Sequence, residues 1–235
     1  MPRAFAPRLE QPGSHLARYA SVFAGTEINS SFWRPHAVRT YERWAAATPE
    51  DFRFAVKLPR TLTHEQSLRR PRSGFARFLD ETAGLGPKRG PLLVQLPPSQ
   101  AFEARVVQRF FEVVRATYDG ALVCEPRHAT WFSTPASRIL ETYRVARVAA
   151  DPARVPDAGR PGGWDGLTYV RLHGSPRTYW SRYDAAFIAD LVVRVRERAI
   201  DGREVWCIFD NTASGAAIEN AWELREALSD GPRPG

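Results

Sequence analysis

Short apolar runs, each closed by a polar side chain, recur along the chain at 22–29, 52–58, 91–96, 121–125, 145–151, 167–173 and 204–210. Each is rich in β-branched or aromatic residues and flanked by turn formers, the pattern of a buried parallel strand. The intervening stretches carry helical spacing. Leu16, Tyr19, Ala20 and Phe23 share a face, as do Val38, Tyr41 and Ala45 before Thr48-Pro49. Phe75, Phe78, Leu79 and Thr82 form a third stripe ended by Gly84 or Gly86; Phe102, Val106, Phe110, Val113 and Val114 form the clearest one. Thr134-Pro135 reads as a cap ahead of Ile139, Leu140 and Tyr143. Phe187, Leu191, Val195 and Ala199 line another helix, and Ser214 caps the last, with Ala217, Ala221, Leu224 and Leu228 inward.

The polar strand ends fall at 27, 57, 95, 125, 151, 173 and 210, about 30 residues per step, the size of a βα unit. Strands alternating with helices imply a parallel sheet. Seven of them with no break between predict one domain over 1–235, a TIM-like (β/α) barrel in preference to an open sheet. One link differs. Residues 151–167 hold Pro152, Pro156, Pro161 and four glycines, so an extended crossover is expected there instead of a helix.

Side chains alternate along a strand. Glu27 and Asn29 therefore share one face with Ile28 on the other, and Arg171 and His173 flank Leu172 in the same way. The apolar partner should meet the helices, which turns the polar pair toward the barrel axis. Cys124 and Cys207 fall on the helix-facing phase, so two free thiols are expected. The rim then gathers Glu27, Asn29, Lys57, Gln95, Glu125, Arg171, His173 and Asp210. Carboxylates there need partners, and opposite charges so close perturb one another's pKa values.

Each of these residues has a plain reading beside a chemical one. Lys57 is either salt-bridged to Glu27 or Glu125, or it is a base, an electrophile or a Schiff-base amine. Glu125 is either an ion-pair partner of Arg127 or Arg171, or an acid/base group or metal ligand. Glu27 stands between the same alternatives. Arg171 and His173 end one strand, and Asp210-Asn211 end the next before a helix start. That position often binds phosphate in this fold, against ordinary capping and a structural ion pair. Glu27, Glu125, Asp151, His173 and Asp210 are divalent-metal ligand types, without any fixed-spacing motif to support one.

Composition narrows the picture. Of 33 basic residues only Lys57 and Lys88 are lysine, and the net charge is +7. The cations are spread along the chain without a block, which argues against nucleic acid as a partner. No apolar run is long enough to span a bilayer, and the first residues lack a signal-peptide core, so a cytoplasmic protein is expected. There is no P-loop, no H-E-x-x-H, no G-x-S-x-G and no dinucleotide fingerprint, hence no nucleotide cofactor is implied.

Seven stretches taken together resemble the YecE-like family, domain of unknown function 72. They are Glu27-Ile28-Asn29-Ser30-Ser31-Phe32; Phe54-Ala55-Val56-Lys57 with Thr63-His64; Leu93-Val94-Gln95-Leu96-Pro97-Pro98; Glu125-Pro126-Arg127-His128 with Trp131; Arg171-Leu172-His173-Gly174 with Tyr179; Phe209-Asp210-Asn211; and Ala217 with Asn220-Ala221. The resemblance implies a TIM-like barrel with a polar cavity at its carboxyl face, a loose relation to sugar isomerases by analogy, and no settled activity. Family members start with a strand that has no counterpart after Met1-Pro2-Arg3. The barrel is therefore expected to lack its first strand, leaving an open seam covered by residues 1–13 or by another chain. Trp33 stands where tyrosine is common, and Asp210 where some members carry asparagine.

Two functions follow as expectations. One is an acid–base enzyme (isomerase, lyase or hydrolase) on a small polar or anionic, sugar-like or phosphosugar-like ligand. It would use Lys57 and Glu125 with Glu27 for catalysis, and Asn29, His64, Gln95, Arg127, Arg171, His173, Tyr179, Asp210 and Asn211 for binding. The other is a non-enzymatic binder of nucleic acid or of a partner protein along the seam.

Overall fold

Each expected apolar run contains a strand. The computed structural model describes residues 13–230. Helix α1 (His15–Ala20) leads into β1 (Gly25–Ile28), followed by the short α2 (Ser30–Trp33) and by α3 (Val38–Ala46). Then come β2 (Arg53–Lys57), α4 (Pro71–Thr82), β3 (Arg89–Gln95), α5 (Ala104–Arg115), β4 (Leu122–Glu125) and α6 (Thr134–Thr142). The run 145–151 forms two strands, β5 (Val145–Arg147) and β6 (Ala149–Asp151). A two-residue strand β7 (Gly162–Gly163), β8 (Leu167–Leu172), α7 (Ala185–Arg198), β9 (Glu204–Phe209) and α8 (Ala216–Ser229) complete the order.

The sheet is mostly parallel. Strands β1, β2, β3, β4 and β5 pair in sequence order, with β7 antiparallel on β5. Strands β6, β8 and β9 form a second parallel ladder. Only Val148 separates β5 from β6, so one bent segment belongs to both ladders. Among the described residues β1 and β9 are not hydrogen-bonded to each other, and no closed barrel is formed. A cavity of about 1000 Å³ lies between them, walled by Phe23 beyond α1, by Ile208, and by Ala221 and Leu224 of α8. The expected cover by residues 1–13 falls, for 1–12, outside the described residues.

Three apolar clusters account for the layers. Ala55, Leu93, Val123, Ala146, Leu167, Tyr169 and Trp206 meet on the inner face, which joins strands of both ladders across the hollow. Phe54, Leu92, Val94, Leu122 and Cys124 pack outward on α4 to α6, and Val170 and Leu172 pack outward on α7 and α8. The inner floor depends on Trp206. A Cβ placed on Gly25 or Gly90 would lie 3.0 Å from its indole, so only glycine lets β1 and β3 approach that ring.

Some local expectations change. Val38 is exposed, and α3 holds on through Tyr41, which is fully buried. Ser133, not Thr134, occupies the cap position of α6. Gly215, at φ 84°, takes the cap position of α8, because the left-handed turn needs a residue without a Cβ; Ser214 Oγ accepts a long bond from the Ala216 N–H at 3.4 Å. A π-helical turn, Thr61–Glu65, follows β2 and places His64. Both cysteines are free and turned toward the helices as expected. Among the described residues no helix is long and apolar enough to cross a membrane.

Candidate functional site

Arg171 sits at the centre. It lies near the end of β8 on the inward phase, 1% exposed, and its guanidinium reaches three different strand ends. Nε donates to Glu27 Oε2 at 3.1 Å and Nη2 to Glu27 Oε1 at 2.7 Å, a two-pronged grip on the carboxylate of β1. Nη1 donates to Glu125 Oε2 at 2.6 Å, and Nη2 also to Asp210 Oδ2 at 3.0 Å. Tyr169, two residues earlier on the same face of β8, donates its hydroxyl to Glu27 Oε2 at 2.8 Å. Arg127 Nε and Nη2 both donate to Glu125 Oε1 at 3.0 Å.

His173 closes the circuit. Its Nδ1 is 3.1 Å from Asp210 Oδ2 and its Nε2 is 3.5 Å from Glu125 Oε1. Burial would lower the imidazole pKa, but with a carboxylate at each nitrogen the pKa is raised and the doubly protonated ring is favoured. Burial would push the Glu125 carboxyl up, yet Arg171, the His173 contact and Arg127 hold it well below the usual carboxylate range. Asp210 is likewise held down against burial by His173 and Arg171. Glu27, Glu125 and Asp210 are thus set against Arg171, Arg127 and the imidazole of His173, whose pKa is raised.

Lys57 stands beside this paired set as a further cation. It ends β2, and its Nζ lies 4.1 Å from the centroid of the Phe32 ring. Among the described residues no carboxylate comes within ion-pair distance of it, so the salt bridge to Glu27 or Glu125, one of its two alternatives, does not form. Burial, then Arg171, lower its pKa to about 8; Glu125 and Glu27 oppose the shift without cancelling it, and Arg127 adds to it. His64 packs edge-on to Phe32 at 4.9 Å and hydrogen-bonds Thr63, and its pKa is lowered by burial and then by Lys57, Arg60 and Arg127. The backbone under Lys57 is pinned as well: Ser31 Oγ donates to the Lys57 carbonyl at 2.7 Å.

The remaining expected residues fall into two groups. Gln95 is buried opposite Glu125 in register, and Tyr179 meets the His173 ring edge-on at 5.6 Å with a left-handed φ of 65°. Both border the charged set. Tyr179 also walls a cleft of about 480 Å³ with Arg127, Arg154, His173 and Thr178. Asn211 is drawn elsewhere: its amide donates to the Ser181 carbonyl at 3.0 Å and to Asn220 at 3.1 Å, fastening the loops after β8 and β9 to α8. Asn29 takes the cap position of α2, and its buried Oδ1 has no hydrogen-bond partner among the described residues. Arg171, expected to receive an anion, already spends its donors on three carboxylates.

Asp151 lies apart too, held by the Tyr183 hydroxyl at 2.7 Å. Among the described residues no three His, Cys, Asp or Glu side chains are disposed to hold a metal ion, because the carboxylates turn onto guanidinium groups. Tyr169 escaped the sequence reading as a site residue, although it shares the period-two phase of Arg171 and His173. Phe32, which closes the first family-like stretch, is brought back over Lys57 by the helical turn of α2.

The family model described as "Protein of unknown function DUF72" matches residues 2–234. The chain belongs to the DUF72 family. The UPF0759 protein YunF of Bacillus subtilis (strain 168) is 25% identical over 243 residues, covering 91% of this chain and 86% of that one. The UPF0759 protein YecE of Escherichia coli (strain K12) is 33% identical over 152 residues, covering 62% of this chain and 55% of its own length. Among solved structures, a DUF72 protein of Enterococcus faecalis V583 superposes with a TM-score of 0.81 at 21% identity, covering 97% of this chain and 93% of that one. A DUF72 protein of Thermotoga maritima MSB8 gives 0.76 at 24% identity, covering 88% and 85%. These likenesses fix the mixed α/β fold of this DUF72 chain; none of the names carries an activity.

Proposed function

We propose that this DUF72 chain is an acid–base enzyme for a small polar, sugar-like or phosphosugar-like ligand. The ligand binds over the carboxyl ends of a mostly parallel, barrel-like sheet with an open seam between β9 and β1. One observation carries the reading: among the described residues Lys57 is an amine without an ion-pair partner, set against carboxylates that are already paired with guanidinium groups. With a pKa of about 8, part of Lys57 is neutral near pH 7 and can take a proton from carbon next to a carbonyl. The ammonium so formed then faces the developing oxyanion without crossing water.

In this reading Arg171, Glu27, Glu125 and Asp210 set the field and do not touch the substrate. The anionic end is met by Arg127 and Arg154 in the cleft that Thr178 and Tyr179 border. Its volume of about 480 Å³ suits a small metabolite.

A thermal-shift and turnover screen of sugars and sugar phosphates on wild type, Lys57→Met and Arg127→Met tests this. The expected result is a stabilising ligand whose conversion falls by about 10²–10⁴ in Lys57→Met, with weaker binding in Arg127→Met. A ligand converted equally well by Lys57→Met would remove the assignment.

A further inference from the structure

The chain carries two lysines, and the structure treats them in opposite ways. Lys88 is committed: its Nζ donates to the carbonyls of Ala45 and Thr48, each at 2.6 Å, closing the C-terminal end of α3. A third, longer contact runs to the Thr48 hydroxyl at 3.3 Å, so the Lys88 amine is occupied on all sides by oxygen acceptors. Lys57 makes no such bond among the described residues. It lies against an aromatic face, partly buried, at a strand end beside two guanidinium groups. In a protein that meets almost every other cationic need with arginine, an amine is retained where its lone pair can be released. Arginine could serve as a counter-ion there; it could not serve as a nucleophile.

We propose that Lys57 bonds covalently to its substrate, forming an imine with the carbonyl carbon of a small aldehyde or ketone. The neutral amine adds to the carbonyl carbon, giving a carbinolamine. The nitrogen passes one proton to the former carbonyl oxygen, solvent supplies a second, the oxygen leaves as water, and the C=N bond remains as a protonated imine. No oxidant, reductant or second reactant is required. The iminium carries the same positive charge as the ammonium it replaces, so the paired set of Glu27, Glu125 and Asp210 with Arg171, Arg127 and His173 is not disturbed. Its electron-withdrawing pull on the neighbouring carbon is what an isomerase or lyase of carbonyl compounds needs. This inference rests on the acid–base reading of the same site and adds the bond.

The test is reductive trapping on the full chain. Glycolaldehyde, pyruvate and dihydroxyacetone phosphate are each incubated at pH 7 with cyanoborohydride, and adducts are located by intact mass and peptide mapping. A Lys88→Arg variant leaves Lys57 as the one lysine, and N-acetyl-lysine amide serves as the reference amine. Because the Lys57 amine is neutral far more often than an ordinary lysine at this pH, at least one probe is expected to label it about tenfold faster than the reference or more. Labelling should vanish in Lys57→Met and drop to the reference rate in urea. No adduct at Lys57 with any probe, or labelling no faster than the reference, overturns the imine. The acid–base reading fails separately, when a bound ligand is converted equally well by Lys57→Met.

Discussion

Arg171 joins three strand ends through one guanidinium, and its removal leaves Glu27, Glu125 and Asp210 without their shared cation. Arg171→Met is expected to lose about 3–5 kcal/mol, read as a fall in Tm of about 10 °C for a chain of this size. A loss under about 1 kcal/mol would show that the carboxylates are solvated instead of paired. The pH dependence has two arms. Because the folded pKa of His173 is raised, its contribution is complete below the unfolded value of about 6.5 and is lost as pH rises through the folded one. The stability deficit of His173→Gln should therefore be largest below pH about 6.5 and shrink above it. Glu125 and Asp210 have lowered folded values, so their contributions hold above about pH 4 and are lost as acid passes below it. Much of this was legible: period-two alternation placed Glu27 inward with Arg171 and His173. The pairing of Glu125 with Arg127 and Arg171 was legible as well; that Glu27 takes Arg171 and not Lys57 was not, because only the geometry of a two-pronged guanidinium decides between them.

At the scale of elements, the floor of the hollow is set by small residues facing one large ring. Gly90→Ala places a Cβ 3.0 Å from the Trp206 indole and 3.3 Å from the Phe54 carbonyl. Overpacking of this kind should cost about 1–3 kcal/mol. Denaturant unfolding of Gly90→Ala, Trp206→Leu and the double variant checks it, with the double variant expected to be more stable than the sum of the two single losses. Strict additivity would mean that the ring and the glycine do not meet. The sequence marked the elements well where apolar periodicity is strong, as in α5: Phe110 and Val114 of the expected stripe are buried and Phe102 and Val106 pack against the same core, with Val107 and Phe111 buried beside them. It failed where a backbone conformation decides: the left-handed Gly215 ahead of α8 and the π-helical turn at His64 leave no periodic trace.

For the whole molecule, the distinguishing feature is a mostly parallel sheet that, among the described residues, curls without closing. Among the described residues no strand pairs β9 with β1, and the cavity there is the larger of the two described. Amide exchange reads the seam directly. Alternate amides of β1 and β9 should exchange far faster than those of β3 and β4, which have neighbours on both sides. Uniform protection of β9 would mean that a strand covers the seam. Protection that grows with protein concentration would identify a second copy as that cover.

Everything functional in this account turns on one amine. A chain with two lysines, labelled with ¹³C at the ε position, gives two resonances that Lys88→Arg assigns, and a pH titration then reads Lys57 alone. The expected midpoint is about 8, as burial and the neighbouring guanidinium groups require. A midpoint at or above about 10, the value of an ordinary exposed lysine, would mean that Lys57 is either paired or solvated, and both the proton transfer and the imine would lose their chemical basis.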